Sequence, residues 1–134
     1  MYTGPTSLLH DHLDGGLRPA TVKELADSIG WRLPADDLDD LQAWFTAGAD
    51  TKDLLQYLAV FEHTLAVMQT AEHIERVAYE AVVDLAADGV RYAEIRFAPE
   101  LHQTNGLPLD EIVTAMTDGL RRGERDAATG GNEI

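Results

Sequence analysis

The 134-residue sequence reads as an α/β protein in which two strands pair in parallel. Three observations lead there. A strand-like run at residues 7–13 breaks at Gly15-Gly16, and a second run occupies residues 90–97. The residues between and after these runs carry apolar side chains at helical spacing. Strands separated by helices favour parallel pairing through a right-handed crossover. The length suits one domain, residues 1–134. With 45% hydrophobic and 25% charged residues, the chain is globular rather than disordered.

Taken in order, Pro19 stands where a first helix begins. Val22, Leu25, Ala26 and Ile29 follow at helical spacing, and Gly30 stops it. Residues 36–45 make a short second helix with Leu38, Leu41 and Trp44 on one side. Asp50 is the expected N-cap of a long third helix, with Leu54, Leu58, Phe61, Leu65 and Met68 as its stripe. Thr70 caps a fourth helix, and Glu72 lies in its positive first turn. Its core face is Ile74, Val77, Ala78, Ala81, Val82, Leu85 and Ala86, and Gly89 ends it. The second strand follows, then a loop at 98–107. Pro108 opens a last helix carrying Ile112, Val113, Met116 and Leu120, and residues 129–134 are expected to fray. The stretch between the strands exceeds what one crossover helix needs. Its extra helices either cap the strand ends or pack outside.

Charge and cysteine content narrow the chemistry. Ten Lys plus Arg against 24 Asp plus Glu leave a net charge of −14. Such a surface repels phosphate backbones and anionic lipid, so neither nucleic acid nor membrane is an expected partner. The plainer reading is that the acidity is a solubility device only. Without cysteine there is no disulfide, thiolate zinc site or thiol nucleophile, so a transition metal would need His and carboxylate ligands. The first nine residues lack a basic and apolar leader, and no apolar run is long enough to span a bilayer. A soluble cytoplasmic protein is the expectation.

The most specific feature is Leu9-His10-Asp11-His12-Leu13-Asp14-Gly15. Side chains two apart on a strand share a face, so His10 and His12 project together as the start of a divalent-metal site. Asp14, just past the strand end, is placed to orient a ligand or a metal-bound water. The glycines beyond it let the backbone turn closely. A bare His-x-His is weak. The apolar lead-in, the following Asp and the Gly strengthen it, yet a catalytic zinc site wants at least three protein ligands. His63 and His73 fall within helical runs and read as solvent-facing or capping, while His102 lies near the second strand end. On that strand Tyr92, Glu94 and Arg96 alternate with Ala93, Ile95 and Phe97. Glu94 and Arg96 read as support beneath a site, or as an exposed strand end. Tyr57, Leu58 and Phe61 read first as a helix core face, and alternatively as the apolar wall of a pocket for a flat ring.

The chain resembles the adenosine deaminase family of metal-dependent hydrolases, and its bacterial members most. Three blocks carry the resemblance. They are Leu-His-Asp-His-Leu-Asp-Gly-Gly-Leu-Arg-Pro at 9–19, Tyr-Leu-Ala-Val-Phe-Glu-His-Thr-Leu-Ala-Val-Met-Gln-Thr at 57–70, and Asp-Gly-Val-Arg-Tyr-Ala-Glu-Ile-Arg-Phe-Ala-Pro-Glu-Leu-His at 88–102. The resemblance implies a (β/α)8 TIM barrel with zinc (Zn2+) at the C-terminal strand ends. It makes His10 and His12 the first two zinc ligands. Asp14 would contact the ribose 5′-hydroxyl with His12 assisting, and Tyr57, Leu58 and Phe61 would lie on the helix that lids the purine pocket. Phe97 and Ala98 would stand at the second strand end.

The implied reaction is zinc-dependent hydrolytic deamination of a small-molecule purine nucleoside, adenosine or 2′-deoxyadenosine, to inosine-type product and ammonia. Adenine, a modified nucleoside or AMP are the neighbouring substrates, and AMP sits poorly beside Asp14. The zinc deaminases with a Cys-x-x-Cys signature are excluded by the absence of cysteine. The family also needs a third His, a Glu acid in a His-Ala-Gly-Glu segment, a further His and an Asp-Asp pair, all on later strands. No residue here is carried over to those roles, so no catalytic acid is expected within these residues. A closed barrel needs at least about 200 residues. The sequence therefore reads as the N-terminal part of one barrel domain, about two βα units plus extra helices, inactive by itself. The other reading is a non-catalytic metal-binding fragment.

Overall fold

The computed structural model describes residues 4–134. Strand β1 (Thr6–His12) is followed by a 3-10 turn (Leu13–Gly15), then helices α1 (Pro19–Ile29), α2 (Leu38–Asp50), α3 (Leu54–Ala66) and α4 (Ala71–Ala87). Strand β2 (Val90–Arg96), a 3-10 turn (Pro99–His102) and helix α5 (Leu109–Thr129) complete the order. The α/β reading holds: β1 and β2 form a parallel two-stranded sheet.

Local chemistry explains most boundaries. Pro19 occupies the first turn of α1. Gly30, at a φ of 70°, closes the helix by donating its N–H to Ala26 O and Asp27 O. Thr70 caps α4 by accepting from the His73 N–H, and Gly89 takes a φ of 86° just beyond the helix. Two expectations fail at the α2–α3 junction. Asp50 is the last residue of α2, which runs past the expected stop at Phe45. The N-cap of α3 is Asp53, whose carboxylate accepts from the N–H groups of Leu55 and Gln56. Both aspartates are competent caps, and Thr51, whose hydroxyl accepts from the Asp53 N–H, sets the break after Asp50. The C-terminal end also differs from the expected fraying. The N–H groups of Gly130, Gly131 and Asn132 donate to Asp126, Ala128 and Ala127 carbonyls, closing α5 in an ordered turn.

The core lies between the sheet, α1, α4 and α5, and contains Leu13, Leu25, Ala26, Val67, Met68, Ile74, Val77, Ala78, Ile112, Ala115 and Met116. Helices α4 and α5 approach closely because α5 is small where they touch. A side chain at Gly119 would collide with the Glu75 carbonyl, and one at Gly123 would stand 2.7 Å from Val82 Cβ. Of the expected α3 stripe only Met68, just past the helix, joins this core, next to Val67. Leu54 and Leu58 are 67% and 51% exposed. Apolar periodicity marks a face that avoids water; it does not say which neighbour covers that face.

Polar ties hold α1 to α4. Thr21 donates a buried hydrogen bond to Glu80 (2.6 Å), and Arg76 bridges Glu80 and Glu24. Arg18 grips Asp84 with two hydrogen bonds of 2.9 and 2.6 Å. The carboxylate of Glu80 is thus satisfied inside the packing, as a buried charge must be. Among the described residues no helix is long and apolar enough to cross a membrane.

Candidate functional site

The strand end is built by an irregular register. Leu8 pairs with Ala93 and Asp11 with Ile95, so β1 has one more residue than β2 across that interval. The added residue re-aims the side chains beyond it. Leu8 and Asp11 are half-buried, as are Ala93 and Ile95, while His10 and His12 turn to the open face with Tyr92, Glu94 and Arg96. There the Nε2 atoms of His10 and His12 lie 3.1 Å apart. Two nitrogens each bound to one tetrahedral zinc at about 2.0–2.1 Å stand about 3.3 Å apart, so the pair already converges on a single point. Among the described residues no group of three or more His, Asp or Glu side chains completes such a site.

Asp14 follows in the 3-10 turn. It is 8% exposed, and its Oδ1 has no hydrogen-bond partner among the described residues. An orphaned carboxylate oxygen is costly unless something donates to it. It borders a cavity of about 730 Å³ that also contains His10 and His12. Apolar lining comes from two further elements, α3 with Tyr57, Leu58, Phe61 and Leu65, and the turn after β2 with Leu101. Tyr57 and Phe61 meet edge to face, with ring centroids 5.4 Å apart. Of the two readings for this stripe, the pocket wall is therefore the one its placement matches. The structure brings His10, His12, Asp14, Tyr57, Leu58 and Phe61 to one cavity, with residues from five separate elements around it.

Other sequence readings need correction. His63 is neither solvent-facing nor a cap: its Nδ1 accepts from the Trp31 indole N–H at 3.1 Å, and Trp44 packs edge-on at 5.2 Å. Burial there lowers the His63 pKa, against an opposing pull from Glu62. His73 needs no correction: it donates from Nδ1 to the carbonyl of Val67, the C-cap of α3, in keeping with the capping reading. Glu94 accepts from the Tyr92 hydroxyl on the exposed face, so the exposed strand-end reading describes it better than support beneath a site. Leu101 and the buried amide of Gln69 were invisible as site residues, because neither belongs to a local pattern. Only the folding of the turn after β2 against the end of α3 brings them there.

The fold is that of the N-terminal part of TIM-barrel deaminases. An adenine deaminase from Arthrobacter aurescens superposes with a TM-score of 0.77 at 30% identity, over 92% of this chain and 37% of that one. An amidohydrolase from Burkholderia ambifaria, solved with bound Zn, superposes with a TM-score of 0.74 at 26% identity, over 93% of this chain and 33% of that one.

Residues 5–134 match the family model described as adenosine deaminase, and the chain belongs to that family. Adenosine deaminases of Mycobacterium leprae and Mycobacteroides abscessus are 55% and 56% identical to it over 131 residues. These alignments cover 97% of this chain and 36% of those proteins, so the chain spans about a third of the length of the curated relatives it matches. It is similar to the N-terminal portion of the family.

Proposed function

We propose that this chain supplies the first part of a zinc-dependent hydrolytic deaminase acting on adenosine and 2′-deoxyadenosine. The carrying observation is the convergence of His10 and His12 beside the unpartnered Oδ1 of Asp14, in one cavity with an apolar lining. His10 and His12 fit two of the ligands of a zinc ion. When bound, zinc lowers the pKa of a water so that it becomes a nucleophile near neutral pH. The chain's own residues do the binding and positioning. Tyr57, Leu58 and Phe61 exclude water and take the flat purine, and Asp14 holds the sugar. His12, beside both, assists in orienting the substrate. The acid that protonates the ring and the remaining metal ligands belong to other residues of the barrel, so these 134 residues alone are expected to be inactive.

The substrate follows from Asp14. A carboxylate only accepts hydrogen bonds, so its free oxygen calls for a donor, such as a sugar hydroxyl. A 5′-phosphate offers no donor and adds like charge, which disfavours AMP. Likeness to an adenine deaminase keeps the free base as the second reading. The test uses the protein expressed from its complete reading frame, followed by the absorbance change from adenosine to inosine. We expect turnover of adenosine, loss of bound zinc in His10→Ala and His12→Ala, and a KM for adenosine raised about tenfold or more in Asp14→Ala. Turnover of adenine in preference to adenosine, unaffected by Asp14→Ala, would establish the second reading. Adenosine turnover by residues 1–134 alone would refute the assignment of the acid elsewhere.

A further inference from the structure

We propose that Gln69 is a positioning residue that sets the spacing of the two apolar walls of this cavity. Gln69 is 8% exposed and is not among the residues lining the cavity, yet both amide donors and the amide oxygen are engaged. Nε2 donates to the Leu65 carbonyl at 2.9 Å and to the Leu101 carbonyl at 3.0 Å. Oε1 accepts from the Thr104 N–H at 3.0 Å. Leu65 and Leu101 both line the cavity, one from the end of α3 and the other from the turn after β2. These walls are far apart in sequence, and Gln69 is the side chain that joins their backbones.

The surroundings make this a clasp rather than a chance contact. Buried His102, in the same turn as Leu101, donates from Nδ1 to the Met68 carbonyl at 2.8 Å, and Phe97 packs 5.5 Å from its ring. The end of α3 is therefore tied to the turn after β2 at two successive residues, 68 and 69. A glutamine is suited to this because it presents two donors and an acceptor in one plane, without a charge to desolvate. Glutamate would keep the acceptor for Thr104 but lose both donated bonds, and the Leu65 carbonyl would retain only the backbone N–H of Met68. Leucine would lose all three bonds at similar volume. Either change frees Leu101 to move against Leu65, widening the cavity and weakening its grip on a flat ring. His10 and His12 do not touch Gln69, so the effect falls on binding and not on chemistry.

The inference rests on reading the cavity as a purine-nucleoside pocket, and the experiment separates the two. In the protein from the complete reading frame, Gln69→Leu and Gln69→Glu are expected to raise KM for adenosine about five- to tenfold, with kcat within about twofold. Gly119→Ala, which disturbs α4–α5 packing away from the cavity, should leave KM unchanged. Hydrogen exchange at the Thr104 amide should accelerate about tenfold or more in Gln69→Leu, while α4 and α5 amides keep their protection. An unchanged KM in both Gln69 variants overturns the proposal. So does failure of both to fold, which makes Gln69 a folding residue only. Should the wild-type protein not turn over adenosine, the functional reading fails, and exchange decides the clasp. Local loss of protection at Thr104 in Gln69→Leu supports it, and unchanged protection overturns it.

Discussion

At the scale of single residues, the site is a set of polar atoms whose partners are supplied by folding or withheld by it. Asp14 is buried with an oxygen left over, and a free buried acceptor is where a ligand donor belongs. Gln69 is the opposite case, buried with both amide donors and its oxygen engaged. His63 lies between them, its charged form disfavoured by burial and its ring held by the Trp31 indole. Its lowered pKa means that the folded state binds fewer protons than the unfolded chain near the ordinary histidine value. The stability it contributes is therefore present above about pH 6.5 and is lost as pH falls through the lowered folded pKa. In the protein from the complete reading frame, the melting temperature should drop on acidification from about pH 7.5 to 5.5 by more than in His63→Gln. Equal drops in the two proteins would show that His63 does not carry this dependence. The His-x-His-x-Asp motif was legible because side chains two apart on a strand share a face, while the added residue that aims them was not. The His63 environment was not legible, because Trp31 reaches it from the α1–α2 connection and Trp44 from α2.

At the scale of elements, caps and stops were largely readable, and partners were not. Pro19, Gly30, Thr70 and Gly89 act where local chemistry puts them. Asp50 and Asp53 are chemically equivalent caps, and the choice between them depended on a turn that neither residue announces. The apolar rows of α4 and α3 look alike in sequence, yet α4 is covered by α5 while α3 faces a cavity. The difference is the small-residue row on α5. Gly119→Ala should destabilise the protein by about 1–3 kcal/mol, because the collision with the Glu75 backbone outweighs a helix-propensity gain of about 1 kcal/mol. Gly130→Ala serves as the control, since an added Cβ there meets its nearest neighbour at an ordinary 3.5 Å. Denaturant melts with equal losses for both variants would show that close α4–α5 contact is not the cause.

At the scale of the whole molecule, the sheet has two strands, and among the described residues each pairs only with the other. One edge of each strand is left open, and Leu9 and Tyr92 are 59% and 54% exposed. Open edges beside exposed apolar side chains favour association with other chains. Residues 1–134 expressed alone should therefore self-associate with rising concentration and bind a hydrophobic dye such as ANS. A sharp two-state melt from a monomer would refute this. The sequence by itself determined the α/β class, the family and the pairing of His10 with His12. All of these rest on short-range periodicity and on motifs read residue by residue. Only the tertiary structure decided that α3 is a cavity wall, that Asp14 keeps a free oxygen, and that Gln69 spans two walls. Each of those depends on which distant backbone arrives opposite a side chain, and local spacing carries no record of that.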